Sequence, residues 1–160
     1  MENAIKIIDR HQDLPYLLRE IPQPPKKLYF RGDPDGSLLC SGREQSSGPV
    51  GKFLCVVGSR KNTEYGKMVC EQLIGGLAGQ NVVIVSGLAL GIDSIAHRAA
   101  LETGLKTIAI PGSGLDWDEL YPKNHYQLAK EILEKGGALV SPFAPQFRAA
   151  KYSFPERNRI

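Results

Sequence analysis

Four stretches of this chain carry groups suited to holding an anion. Gly58-Ser59-Arg60 directly follows the apolar run Phe53 to Val57. Ser86 and Gly87 open a turn that runs to Gly91, with Asp93 and Ser94 at the expected start of a helix. Pro111-Gly112-Ser113 follows another apolar run, and Arg157, Asn158 and Arg159 stand immediately before Ile160. A strand, a glycine-bearing turn and a helix N-terminus together present backbone amides at the positive end of a helix dipole. An arginine just past a strand projects over the same edge, and a guanidinium there favours phosphate. The chemistry these residues suit is anion binding.

Other chemistries find less support. The dinucleotide fingerprint GxGxxG is absent, because Gly87 and Gly91 are spaced GxxxG, and no Walker A sequence occurs. This argues against an ordinary nicotinamide enzyme or a P-loop ATPase. His11, His97 and His125 are scattered without metal-ligand spacing. Cys40, Cys55 and Cys70 lack a CxxC pair, so neither a metal nor a disulfide framework is expected. Cys55 in a strand and Cys70 in a helix read as small buried hydrophobes. Asp93 suits a general base or a helix cap. Asp116, Asp118 and Glu119 suit a metal or ribose contact, or a solvated loop. No catalytic residue, metal or cofactor is expected.

The elements that position these groups follow from periodicity. Runs at Phe53–Val57, Val82–Val85, Thr107–Ile110 and Ala138–Val140 read as buried strands. A helix begins at Thr63 and Glu64, with Met68, Val69, Gln72, Leu73 and Leu77 near one face. A second carries Ile95, Ala96, Ala99 and Ala100 and ends at Gly104, and a third spans about 125–135. Strands alternating with such helices imply right-handed parallel crossovers. The expected fold is α/β, a Rossmann-like, doubly wound, three-layer parallel sheet, with ligands at the C-terminal strand ends. Residues 52–160 form that domain. Residues 1–51 read as a short irregular extension and linker, with a short helix around 4–10, a brief strand at Leu28–Phe30, a turn at 32–36 and a loop at 41–51.

At 160 residues the chain suits one domain with a real core. The net charge of +3 is unevenly placed. Residues 1–51 and 52–141 are each balanced, whereas 142–160 holds Arg148, Lys151, Arg157 and Arg159 against Glu156. Tyr65, Trp117, Tyr121, Phe143, Phe147, Tyr152 and Phe154 fall in or near loops on the same side. Aromatics among basic residues suit single-stranded nucleic acid, whose bases stack and whose phosphates need neutralising. No run approaches the ~20 apolar residues of a membrane span. The N-terminus has charges where a signal peptide needs its apolar stretch, which points to the cytoplasm.

These motifs resemble those of the DNA-processing protein A family (DprA, also called Smf). The resemblance rests on Gly58-Ser59-Arg60, on Ser86-Gly87-Leu88-Ala89-Leu90-Gly91-Ile92-Asp93 with His97, on Tyr121-Pro122 with Asn124, and on Phe154 to Ile160. It covers about residues 14–160, including Ile21-Pro22, Pro24-Pro25 and Leu28-Tyr29. It implies a protein that binds and protects single-stranded DNA and helps load a RecA-type recombinase in natural transformation. It also implies a homodimer with no established catalytic reaction. Carried over, Gly58, Ser59, Arg60, Ser86, Gly87, Gly91, Asp93, Arg157, Asn158 and Arg159 would line or shape the DNA site, and Lys123 would add a phosphate contact. Arg60 and Arg157 would neutralise charge, Ser86 and the amides after it would meet phosphate, and Asn158 would buttress the loops. Pro142 departs from the acidic residue typical of the family after Ser141. The family's fold continues past the position of Ile160, and many members add a winged helix, so an exposed sheet edge is expected here. An alternative is a nucleotide-processing hydrolase resembling the cytokinin-activating phosphoribohydrolases. Of their PGGxGTxxE motif, Pro111-Gly112-Ser113-Gly114-Leu115-Asp116 preserves the start, while the Thr is missing and Glu119 is out of step.

Overall fold

The computed structural model describes residues 4–32 and 52–160. Cys40, most of the 32–36 turn and the 41–51 loop lie outside the described residues. Strands β1 (Lys6–Ile8), β2 (Leu28–Gly32), β3 (Lys52–Cys55), β4 (Val82–Ser86), β5 (Lys106–Ala109) and β6 (Ala138–Ser141) form one sheet in the order β1-β2-β6-β5-β4-β3. Pairs β3·β4, β4·β5 and β5·β6 are parallel, whereas β2 runs antiparallel to both β6 and β1. The class is α/β with a largely parallel sheet, as the strand–helix alternation implied.

Helices α1 (Tyr16–Arg19), α2 (Glu64–Gly75), α3 (Ile92–Glu102), α4 (Tyr126–Glu134) and α5 (Ser153–Arg157) complete the order. Each crossover from β3 to β6 steps one place in the same direction. Right-handed connections therefore put α2, α3 and α4 on one face of the sheet. There Cys70, Ile74, Ile84, Ala96, Ala99 and Ala100 form one core cluster, and Ala109, Leu128, Ala129, Ile132 and Leu139 belong to another. On the opposite face Val83, Ile108, Ile110 and Val140 pack with Ile8, Leu28 and Phe30 beneath Leu14, Leu18 and Ile160. Those cover only part of it, leaving an apolar cleft of about 520 Å³ between β3–β6, α1 and Arg157.

Three expectations change. Residues 6–8 form a strand instead of a helix, because Lys6, Ile7 and Ile8 pair with Phe30, Tyr29 and Leu28, and tertiary pairing outweighs local propensity. The Phe53 to Val57 run is not buried, since β3 is the sheet's outer strand, with Leu54 and Val57 43% and 74% exposed and Cys55 open to solvent. Helix α2 buries Cys70 and Ile74, while Met68 and Leu73 face outward at 55% and 68% exposure. Its inward stripe steps by four residues from Gly66 through Cys70 to Ile74, because α3 takes up that side. Among the described residues no helix is long and apolar enough to cross a membrane.

Among the described residues the outer edge of β3 is unpaired and carries apolar side chains, and such an edge is prone to association, as is the exposed apolar face of α2. The isolated chain is expected to self-associate in sedimentation velocity, and L54K combined with L73E to shift it toward monomer. A monodisperse monomer before substitution would overturn this expectation.

Candidate nucleic-acid interface

The turn from Ser86 to Gly91 is held from several directions. Ser86 Oγ donates to Val56 O at 2.7 Å, which ties the end of β4 to the segment after β3. The amides of Gly87 and Ala89 donate to Asp93 Oδ2 at 3.1 and 3.4 Å. Asp93 sits in the first turn of α3, whose N-cap is Gly91, so its carboxylate caps the preceding turn instead of its own helix. Ser94 Oγ donates to Gly91 O at 2.9 Å.

Two glycines are required by approach. A Cβ on Gly91, at φ +79°, would lie 2.2 Å from Ser59 O and 2.8 Å from Arg60 Cα. There the Ser86–Gly91 turn meets the Gly58–Arg60 turn, and Ile92 N–H donates to Ser59 O at 3.1 Å. A Cβ on Gly87 would meet Arg157 Nη1 at 2.4 Å and Asp93 Oδ2 at 2.6 Å. Leu88 between them adopts φ 61° with its side chain fully buried. That conformation costs about 1–2 kcal/mol for a non-glycine residue. It is held in place by His125, whose Nδ1 donates to Leu88 O at 2.7 Å.

Arg157 crosses from α5 to the same turn. Its Nη1 donates to Gly87 O at 3.0 Å and also to Ile110 O, and its Nε donates to Asn158 Oδ1 at 2.9 Å. Burial pulls its pKa below the ordinary arginine value, Asp93 opposes that, and Arg60 adds to it. It remains a cation, since arginine does not deprotonate in proteins. Ser153 Oγ donates to Gly112 O at 2.6 Å, which joins α5 to the loop after β5. The Phe154 ring lies where a Cβ on Gly112 would be, 2.6 Å from that point. Above Phe154 lies the exposed Arg60, its Cζ 4.8 Å from the ring centroid. Among the described residues Arg60 has no carboxylate partner.

The structure therefore brings Gly58, Ser59, Arg60, Ser86, Gly87, Gly91, Asp93, Arg157 and Asn158 to one sheet edge, and it divides their work. Gly87 N and Ala89 N are occupied by Asp93, so they are not the open amides that a phosphate-facing turn suggests. Arg157 is engaged with carbonyls, and Asn158 buttresses it. Arg60 keeps its charge toward solvent. Arg159 instead donates to Gln23 Oε1 at 3.2 Å, and Lys123 Nζ donates to Asp118 O, so neither reaches the turn. His125 and Ser153 were missed by sequence reasoning. Their partners lie 37 and 41 residues away, and no local signal predicts such contacts.

Beneath the turn His97 is completely buried. Thr107 Oγ1 donates to Ile84 O at 2.8 Å, so it accepts from His97 Nδ1 at 2.7 Å. Among the described residues Nε2 finds no hydrogen-bond partner of good geometry. Burial, reinforced by nearby His125 and partly offset by the Ser86 backbone, holds the His97 pKa down to about 3.

The profile of the family described as "DNA recombination-mediator protein A" matches residues 6–160. The chain belongs to this family. Protein Smf of Escherichia coli is 46% identical over 141 residues, which cover 85% of this chain and 35% of that protein. DNA processing protein DprA of Streptococcus pneumoniae is 40% identical over 148 residues, covering 91% and 46%. The crystal structure of S. pneumoniae DprA superposes with a TM-score of 0.76 at 34% identity, covering 99% of this chain and 50% of that one. The structure of Helicobacter pylori DprA, which concerns that protein's single-stranded DNA binding mode, gives 0.74 at 32% identity, covering 97% and 63%. The chain thus spans about a third to two thirds of the length of these DprA and Smf relatives.

Two outcomes test the geometry. D93A removes the acceptor of two amides and is expected to cost about 2–3 kcal/mol in urea denaturation, with D93N costing less because it keeps an oxygen; equal costs would count against the cap. For His97 the unfolded ring binds a proton near pH 6.5, whereas the folded ring does so only near 3. Its contribution to stability is full above pH 6.5 and is lost as pH falls through that window, by about tenfold in the unfolding constant per pH unit. H97N should flatten the dependence of the urea midpoint between about pH 7 and 5, and an unaltered slope would remove His97 as its source.

Proposed function

We propose that this chain binds single-stranded DNA across the C-terminal edge of its sheet, with Arg60 as the foremost phosphate contact. The observation that carries this is the placement of Arg60. The residue is exposed, its guanidinium lies over the Phe154 ring, and its backbone is anchored by the contact of Gly91 with residues 59–60. A cation stacked on an aromatic ring, with its charge turned to solvent, suits a strand that offers phosphate and base together. Gly58, Ser59, Ser86, Gly87, Gly91 and Asp93 shape this edge, Arg157 and Asn158 brace it, and Lys123 and Arg159 add positive field at its margins. Residues 52–160 carry the site, and the strands from residues 6–32 close the sheet.

Family membership and the DNA binding of the H. pylori relative support this reading. In the cell we place the protein in the cytoplasm, as a homodimer that protects incoming strands in natural transformation and assists a RecA-type recombinase, without catalysis or a cofactor. The hydrolase alternative is disfavoured by its own residues. Glu119 is paired with Arg148 at 3.1 Å, and Phe154 covers Gly112.

Labelled oligo-dT is expected to bind more tightly than duplex of the same length, with affinity falling steeply as salt rises. R60A is expected to weaken oligo-dT binding by about 1–3 kcal/mol. Equal affinity for duplex, salt-insensitive binding, or release of base from nucleoside monophosphates would each sink this assignment.

A further inference from the structure

Two aromatic ladders flank the loop after β5, and each ends in a solvent-facing tyrosine. In the first, Tyr121 stands edge-on to Phe154, with centroids 5.9 Å apart. In the second, Phe143 and Phe147 are stacked at 4.5 Å and 15°, and Tyr152 meets Phe147 edge-on at 6.2 Å. Both ladders grip the same three residues. Tyr121 N–H donates to Ser113 Oγ at 3.1 Å, Gly114 N–H donates to Phe147 O at 2.8 Å, and the Phe154 ring lies against Gly112. Tyr121 and Tyr152 are nevertheless 46% and 62% exposed.

Each of these tyrosines is an exposed large aromatic at the end of a packed ladder. Its inner edge is fixed, so little rotamer entropy remains to be lost, while the rest of the ring is open to a flat partner. Exposed lysines lie close by in sequence, Lys123 near Tyr121 and Lys151 beside Tyr152. Arg60 sits over Phe154, which links the first ladder to the phosphate-facing edge.

We infer that Tyr121 and Tyr152 are base-stacking platforms, one on each side of the 112–114 loop, for nucleotides of a single strand whose phosphates pass Arg60. This rests on the single-strand reading and adds to it the means of holding bases. Stacking is tolerant of sequence, because every base offers a π-face, and a duplex keeps its bases unavailable to it. The two platforms therefore give preference for single strands without sequence preference, which the charge of Arg60 alone does not supply.

The test compares oligo-dT with an oligonucleotide of equal length built from abasic sites, which keeps the phosphates and lacks the bases. Y121A and Y152A are each expected to weaken oligo-dT binding by about five- to a hundredfold and to leave abasic binding and the salt slope unchanged. Y121F and Y152F should bind like the parent chain, and Y152L, which keeps apolar contact without a flat ring, should behave like Y152A. Circular dichroism and the urea midpoint of each variant separate lost stacking from lost folding. Equal losses on abasic and oligo-dT strands would overturn the inference, as would alanine variants that bind oligo-dT like the parent. If the parent chain itself fails to bind oligo-dT, the single-strand reading falls first and the platforms fall with it.

Discussion

The Asp93 carboxylate, accepting from the amides of Gly87 and Ala89, holds the turn on which the rest of this sheet edge depends. An uncompensated charge in this buried position would be costly, and hydrogen bonds from two amides offset that cost. With the turn closed on Asp93, Gly87 O is presented to Arg157, which draws α5 onto the sheet edge. The same closure brings Gly91 against the backbone of Ser59 and Arg60. One acidic side chain thereby sets the relative positions of three segments that are distant in sequence.

The arrangement also explains why only one of the two arginines near this turn faces outward. Arg157 is the more buried, and its donors are satisfied by carbonyls of the turn and of the residue after β5. Arg60 is exposed and supported by a ring. Like charges placed close together disfavour each other, and Asp93 between them lowers that cost. A bracing arginine and a solvent-facing arginine are chemically the same residue, and burial separates them.

Under the turn, polar groups are tightly assigned. His125 holds the left-handed Leu88 through its carbonyl, and His97 hydrogen-bonds Thr107, which in turn bonds Ile84 O. A neutral imidazole at His97 suits this interior because it offers a directional bond without a charge to desolvate. The edge above is polar and exposed, whereas its support is buried and specific. Rigid support lets an exposed arginine and exposed rings keep fixed positions.

Much of this was readable in the order of residues. Apolar runs of strand length, glycine-bearing turns and helix-start residues identified the parallel α/β core. Arg60, Ser86, Gly91 and Asp93 stood out as candidates because each signal is local or follows a strand end, Arg157 entered through the family resemblance, and the structure brings all five to one sheet edge. Register and partner choice were not readable. Lys6–Ile8 became a strand only because β2 offers it an edge, and β3 is exposed only because it lies outermost in the sheet. Likewise the spacing of α2 permitted more than one apolar face, and α3 selected the one containing Cys70 and Ile74. The sequence by itself determined which groups could bind an anion. The tertiary structure decided which of them are consumed in holding one another, since hydrogen-bond saturation depends on partners tens of residues away.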